Sequence, residues 1–159
     1  MRVAVTGANG RLGRALIAAL GDAPFTGPAG PIAWTREAFD LDVPDAVDGP
    51  LDRDRPEVVI NAAAWTDVDG CARDPQLAVA RNGDAVRVLA EATAAGGIDL
   101  VQVSTNEVFD GRRAHDSGYL PDDPAMPGNA YGRSKLAGEE AASSAYRDRS
   151  GTLAIVRTS

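Results

Sequence analysis

The chain has 159 residues, 44% hydrophobic and 25% charged, which are the proportions of one packed globular domain. A single cysteine, Cys71, and a single histidine, His115, exclude an intrachain disulfide, a Cys/His metal cage and a catalytic pair of histidines. Sixteen Lys and Arg stand against 23 Asp and Glu, a formal net charge of -7, which argues against a nucleic-acid backbone as partner.

Arg2–Thr6 (RVAVT) is rich in valine and ends on a glycine, which predicts a strand. Arg11–Leu20 has apolar residues at helical spacing and predicts a helix, and Gly21–Gly30 a flexible surface loop. Pro31–Thr35 predicts a second strand, Ala46–Arg53 a short helix, and Glu57–Asn61, with its Val-Val-Ile run, a buried strand. Pro75–Ala95 predicts one long helix. Asp74 before Pro75 makes a cap followed by a first-turn proline, and Gly96-Gly97 makes a stop. Asp99–Ser104 predicts a strand, Ala130–Arg147 a helix capped by Asn129, and Thr152–Arg157 a last strand. Asn106–Gly128, rich in glycine and proline, is longer than most connections and of the kind that carries function. Strands alternating with helices predict the α/β class: a doubly wound, Rossmann-type parallel sheet with helices on both faces, as one dinucleotide-binding domain over residues 1–159. The chain stops at Ser159 directly after the last strand, so it reads as part of something longer. Its first apolar run is too short for a signal peptide or a membrane span, and the cytoplasm is the expected location.

Three groups of residues carry chemistry. Gly7-Ala8-Asn9-Gly10-Arg11-Leu12-Gly13 follows a strand and opens a helix. Gly7 permits the tight turn, Gly10 lets a pyrophosphate approach the helix N-terminus, and Gly13 lets helix and strand pack closely. The second strand ends in Trp34-Thr35-Arg36, where an arginine pairs with a 2′-phosphate and favours NADPH; the adjacent Glu37 keeps NADH as the alternative. Tyr131 and Lys135 lie four apart on one helix face. An ammonium beside the phenol would lower its pKa toward neutrality, a shift of ~3 units or about 4 kcal/mol. Tyr131 would then donate a proton to a carbonyl oxygen while hydride attacks the carbon. Ser104-Thr105 places hydroxyls at the C-terminal end of a strand, where doubly wound sheets bind ligands.

Gly7, Gly10 and Gly13 with Thr105, Tyr131 and Lys135 resemble the extended short-chain dehydrogenase/reductase family. Four segments, Asn61–Asp69 (NAAAWTDVD), Ser104–Phe109 (STNEVF), Tyr131–Glu139 (YGRSKLAGE) and Arg157-Thr158-Ser159, resemble its nucleotide-sugar reductases along essentially the whole chain. The resemblance implies NADPH-dependent reduction of the C4 keto group of dTDP-4-dehydro-6-deoxy-L-mannose. It implies that Thr105 polarises the carbonyl, Tyr131 is the acid, and Lys135 holds the nicotinamide ribose. Asp40 and Leu41 would flank the adenine, Ala62, Ala63 and Ala64 would line the cofactor groove, and Asn82 would support the site. Ser104, Thr105, Asn106 and Glu107 would meet the substrate. A homodimer is the implied assembly. Asn106-Glu107 stands where the family usually has Asp-Tyr, and the family continues past Arg-Thr-Ser into a C-terminal substrate domain. Two other readings remain: an epimerase or dehydratase of the same superfamily, which Glu107 suits, and a non-catalytic subunit like the regulatory subunit of methionine adenosyltransferase, which has no need of the Thr105/Tyr131/Lys135 set.

Smaller features have plainer readings. Asp67-Val68-Asp69-Gly70 echoes a calcium loop without its later ligands. His115 is expected to be solvated, Cys71 to be a structural or surface thiol, and Trp34 and Trp65 to be packing residues, Trp65 beside the groove.

Overall fold

The computed structural model describes residues 1–113 and 118–159; His115 lies outside the described residues. Among these, five strands form one parallel sheet: β1 Val3–Thr6, β2 Ile32–Trp34, β3 Val58–Asn61, β4 Asp99–Thr105 and β5 Leu153–Thr158. Their order across the sheet is β2-β1-β3-β4-β5. The chain leaves β1 toward one edge, then returns to β1's other side with β3. That reversal opens a crevice above the C-terminal ends of β1 and β3, the place where such sheets bind ligands.

Among the described residues six α-helices join the strands: α1 Arg11–Gly21, α2 Asp48–Asp54, α3 Val68–Arg73, α4 Pro75–Val79, α5 Ala85–Ala95 and α6 Ala130–Ala145. Right-handed crossovers put α2, α5 and α6 on one face and α1 on the other. On the first face Ala4, Trp34, Val59, Leu100, Val86 and Leu89 form the core with Ala142 and Tyr146. The expected cover on both faces is met unevenly. On the second face Val3 and Val5 are buried, Val58, Ile60, Val101 and Val103 are half-buried, and Ala154 and Val156 are exposed. Among the described residues no helix is long and apolar enough to cross a membrane.

The long helix expected over Pro75–Ala95 starts as predicted, with the Asp74 carboxylate accepting from Leu77 N at 3.0 Å. It is interrupted at Ala80–Asp84 by a π turn, which points buried Asn82 inward. Such turns cluster at functional sites. Helix α3 was not anticipated: its six residues are too few to show periodicity, and its cap, Asp67 accepting from Gly70 N at 2.9 Å, was read as part of an incomplete calcium loop. Gly21–Gly30 is less loose than expected, because Pro24–Thr26 forms a 3-10 turn and Thr26 Oγ1 donates to Leu20 O and Ala23 O. Trp34 and Cys71 are fully buried, so both are structural.

A buried polar chain ties the strand ends together. Thr6 Oγ1 donates to Asn61 Oδ1 at 2.5 Å and Asn61 Nδ2 to Gln102 Oε1 at 2.8 Å. Ala63 N in turn donates to Thr6 Oγ1 at 3.1 Å, fixing the segment that leaves β3. The side chains of Thr6, Asn61 and Gln102 thus all find partners, which keeps the floor of the crevice in one arrangement.

Candidate active site

The crevice is a cleft of about 350 Å³ lined by Gly7, Asn9 and Gly10 after β1, Arg36, Asp40 and Leu41 after β2, and Ala62–Ala64 after β3. Nine of the expected cofactor residues therefore share one wall system. Phe39, Trp65 and Arg81 complete it. Arg11, Leu12 and Gly13 are outside it: the first two are exposed in the first turn of α1, and Gly13 is buried beneath.

The cleft suits the phosphate end of a dinucleotide. Gly7 has φ +61°, and a Cβ there would lie 2.9 Å from the Ala63 backbone. The first turn of α1 has no side-chain cap and no acidic residue, so its free N–H groups and positive dipole end face the cleft uncontested. A Cβ on Gly13 would lie 2.1 Å from Gly7 O, so only glycine lets α1 approach this turn. Gly13→Ala is expected to cost roughly 1–3 kcal/mol and to lower the melting temperature by several degrees. Gly21→Ala at the far end of the same helix, where a Cβ meets nothing within 4 Å, is the control and should leave melting nearly unchanged.

The catalytic candidates gather at the end of β4 and the start of α6. Asn129 caps α6 as expected, its Oδ1 accepting from Gly132 N at 2.7 Å, and its Nδ2 donates to Glu107 Oε2 at 2.6 Å. Thr105 Oγ1 accepts from Glu107 N at 3.2 Å. Tyr131, 9% exposed, packs against Cys71, Ala78, Ala130 and Trp65. Lys135 Nζ donates to Val103 O at 2.8 Å. Behind them Asn82 joins two elements: its Oδ1 accepts from Trp65 N at 2.8 Å, and its Nδ2 donates to Trp65 O at 2.9 Å and Ser134 Oγ at 3.0 Å. The expected supporting asparagine thus locks the end of the Ala62–Trp65 segment to α6.

Two expectations are corrected. Lys135 does not lower the Tyr131 pKa. Burial and then the Glu107 carboxylate push the phenol above its usual range, and the Thr105 hydroxyl works the other way. The ammonium is committed to β4 instead, and burial brings its own pKa down to about 8 against the pull of Glu139. Tyr131 is thereby kept protonated at neutral pH, the form that donates. Ser104, expected at the substrate, is 3% exposed with an unpartnered Oγ. Strand alternation sets it on the helix-covered face with Leu100 and Gln102 rather than at the open edge. Asn106 is exposed there and Glu107 half-buried.

The depressed lysine makes stability depend on pH. Between about 8 and the ordinary 10.5 the unfolded chain still holds this proton and the folded chain has released it. Stability therefore rises with pH across that window, and below it the penalty is constant. The unfolding free energy of wild type minus that of Lys135→Met should increase by about 2 kcal/mol between pH 7.5 and 9.5 in urea titrations. A flat difference would show that Lys135 is solvated.

Sequence reading passed over a second layer. Arg157 Nε and Nη2 contact the buried Glu139 carboxylate at 3.0 and 2.7 Å, Nη1 donates to Pro121 O at 2.8 Å, and the guanidinium lies 5.0 Å from the Phe109 ring centre. Phe109 stacks on Tyr119 with centroids 4.4 Å apart. One arginine thus fastens β5, α6 and the long connection after β4 together. Arg81 was also missed, because nothing local links it to Arg36, 45 positions earlier.

The family model for the RmlD substrate binding domain matches residues 1–159. A dTDP-4-dehydrorhamnose reductase of Burkholderia thailandensis is 43% identical over 139 residues, 87% of this chain and 44% of that protein. The crystal structure of a dTDP-4-dehydrorhamnose reductase from Clostridium acetobutylicum superposes with a TM-score of 0.87 at 33% identity, over 100% of this chain and 53% of that one. That of Bacillus anthracis, in complex with NADP, gives 0.86 at 33%, over 98% and 52%. The chain spans about half the length of the curated relatives it matches.

Proposed function

The chain belongs to the RmlD substrate binding domain family, and from that premise we propose that it forms the cofactor-binding and proton-donating part of an NADPH-dependent reductase of dTDP-4-dehydro-6-deoxy-L-mannose, giving dTDP-L-rhamnose. The observation that carries the reading is the meeting of Thr105, protonated Tyr131 and Lys135 at the end of β4, on the same edge of the sheet as the glycine cradle.

Gly7 and Gly10 with the N-terminus of α1 would hold the pyrophosphate, Ala62–Ala64 the groove, Asp40 and Leu41 the adenine, and Arg36 the 2′-phosphate. When bound, a reduced nicotinamide supplies hydride for C4 of the sugar. The chain's own part is to hold the carbonyl oxygen between the hydroxyls of Thr105 and Tyr131 and to deliver the Tyr131 proton to it. Burial of Tyr131 excludes water from that proton transfer and keeps the acid charged with its proton. Lys135, fixed on Val103 O, would present its remaining N–H groups to the nicotinamide ribose. The reaction, like its substrates, belongs to the cytoplasm.

Glu107 supports a second reading. Its carboxylate acts on the Tyr131 phenol, and a base beside a polarised ketone removes an adjacent C–H proton, the step of a dehydratase or epimerase. The deciding experiment follows NADPH oxidation at 340 nm by the natural full-length protein with dTDP-4-dehydro-6-deoxy-L-mannose and identifies the sugar product. Stoichiometric oxidation with a C4 alcohol supports the reductase. Product formation without net NADPH consumption sinks it in favour of the second reading.

A further inference from the structure

At the open rim of the cleft four charges from two segments, the connection after β2 and the π turn, form a chain. Arg36 Nε donates to Asp40 Oδ2 at 3.0 Å and its Nη2 to Asp42 Oδ2 at 2.8 Å. Asp42 also receives Arg81 through two bonds, Nε to Oδ1 at 2.6 Å and Nη2 to Oδ2 at 2.9 Å. Asp42 N donates to Asp40 Oδ1 at 3.0 Å, which orients the two carboxylates. The two arginines are not alike. Arg81 is 25% exposed, doubly bonded, and lies 5.1 Å over the Trp65 ring, so it is anchored. Arg36 is 71% exposed and divides its bonds between two carboxylates.

We propose that Asp42 is the residue that sets cofactor selectivity: by holding Arg36, it tempers this chain's preference for a 2′-phosphate over a 2′-hydroxyl. The inference rests on the reading that the cleft takes an adenine dinucleotide. A 2′-phosphate draws Arg36 away from Asp42 and must compete with that carboxylate. Arg81 governs the competition from behind. It is the larger influence holding Asp42 ionised, and it neutralises part of the charge that would otherwise bind Arg36. Removing Asp42 therefore frees Arg36, whereas removing Arg81 tightens Asp42 on Arg36. The two changes act in opposite directions, which a merely structural role would not produce.

The test measures binding by calorimetry, at low salt because these charges are screened, of two probes: adenosine 5′-monophosphate and adenosine 2′,5′-bisphosphate. Asp42→Asn is expected to raise the bisphosphate-to-monophosphate affinity ratio by roughly fivefold to tenfold. Arg81→Met should lower the ratio, and Arg36→Ala should bring it near one. A ratio unchanged in both Asp42→Asn and Arg81→Met overturns the proposal and leaves the cleft a nucleotide site. Wild type that binds neither probe overturns the dinucleotide reading, and the proposal falls with it.

Discussion

Replacing Tyr131 with Phe is expected to reduce turnover by roughly 10²–10⁴-fold, the usual contribution of a positioned proton donor. The ring keeps its packing against Cys71, Ala78, Ala130 and Trp65, and only one oxygen is lost. Nucleotide binding in the cleft should stay within about twofold of wild type, because the residues that line that cleft do not include Tyr131. The split between a lost rate and a retained affinity is the signature of an interaction made in the transition state. Since Tyr131 is raised rather than lowered, the acid stays protonated throughout the neutral range. The rate should fall only on the alkaline side, through tyrosine or lysine deprotonation. Glu107→Gln should move any tyrosine-dependent limb to lower pH by removing the carboxylate that helps raise it.

Arg157→Leu is expected to be the most destabilising single substitution away from the glycine turn. Glu139 is 3% exposed and takes its bonds from this arginine. Removing one partner strips a buried carboxylate of its hydrogen bonds, at a cost of roughly 3–5 kcal/mol, reduced somewhat because Arg157 is partly solvated and the Lys135 charge still acts on Glu139. Urea unfolding checks it. The double variant Arg157→Leu with Glu139→Leu should recover part of the loss, since no charge is then stranded. The connection after β4 should also become easier to cleave by protease in Arg157→Leu, because both the Pro121 carbonyl and the Phe109 ring lose the guanidinium.

The parts of this molecule that sequence made legible are those whose chemistry is local. Val-rich strands, the Gly7–Gly13 turn, the Asp74 and Asn129 caps and the Tyr131–Lys135 spacing all declare themselves within a few residues, and each stands where expected. The strand over Ile32–Trp34 and its neighbours differ from expectation only at their ends. What was illegible depends on contacts far apart in the chain. The π turn at Ala80–Asp84 has no composition of its own; it follows from Asn82 bonding to Trp65 and Ser134. The direction of the tyrosine shift comes from burial and from Glu107, while Lys135 is held by Val103 O, 32 residues earlier. Spacing on one helix face placed the two side chains together without fixing which group the ammonium would serve. Ser104 and Thr105 are adjacent in sequence and both buried, yet strand alternation turns the first to the face of Leu100 and Gln102, while the second accepts from Glu107 N. The Arg36–Asp42–Arg81 chain likewise draws on two segments, of which only the one after β2 carried a sequence signature.

The central claim is that this edge of the sheet directs hydride to a sugar carbonyl and protonates its oxygen from Tyr131. It is tested most directly by running the natural full-length protein with dTDP-4-dehydro-6-deoxy-L-mannose and NADPH carrying deuterium at nicotinamide C4 on the transferred face, then locating the label in the sugar by NMR. The account predicts one deuterium at C4 of the product, formed at a rate that Tyr131→Phe lowers by roughly 10²–10⁴-fold. Deuterium retained in the nicotinamide, with solvent hydrogen appearing beside the carbonyl instead, would contradict it.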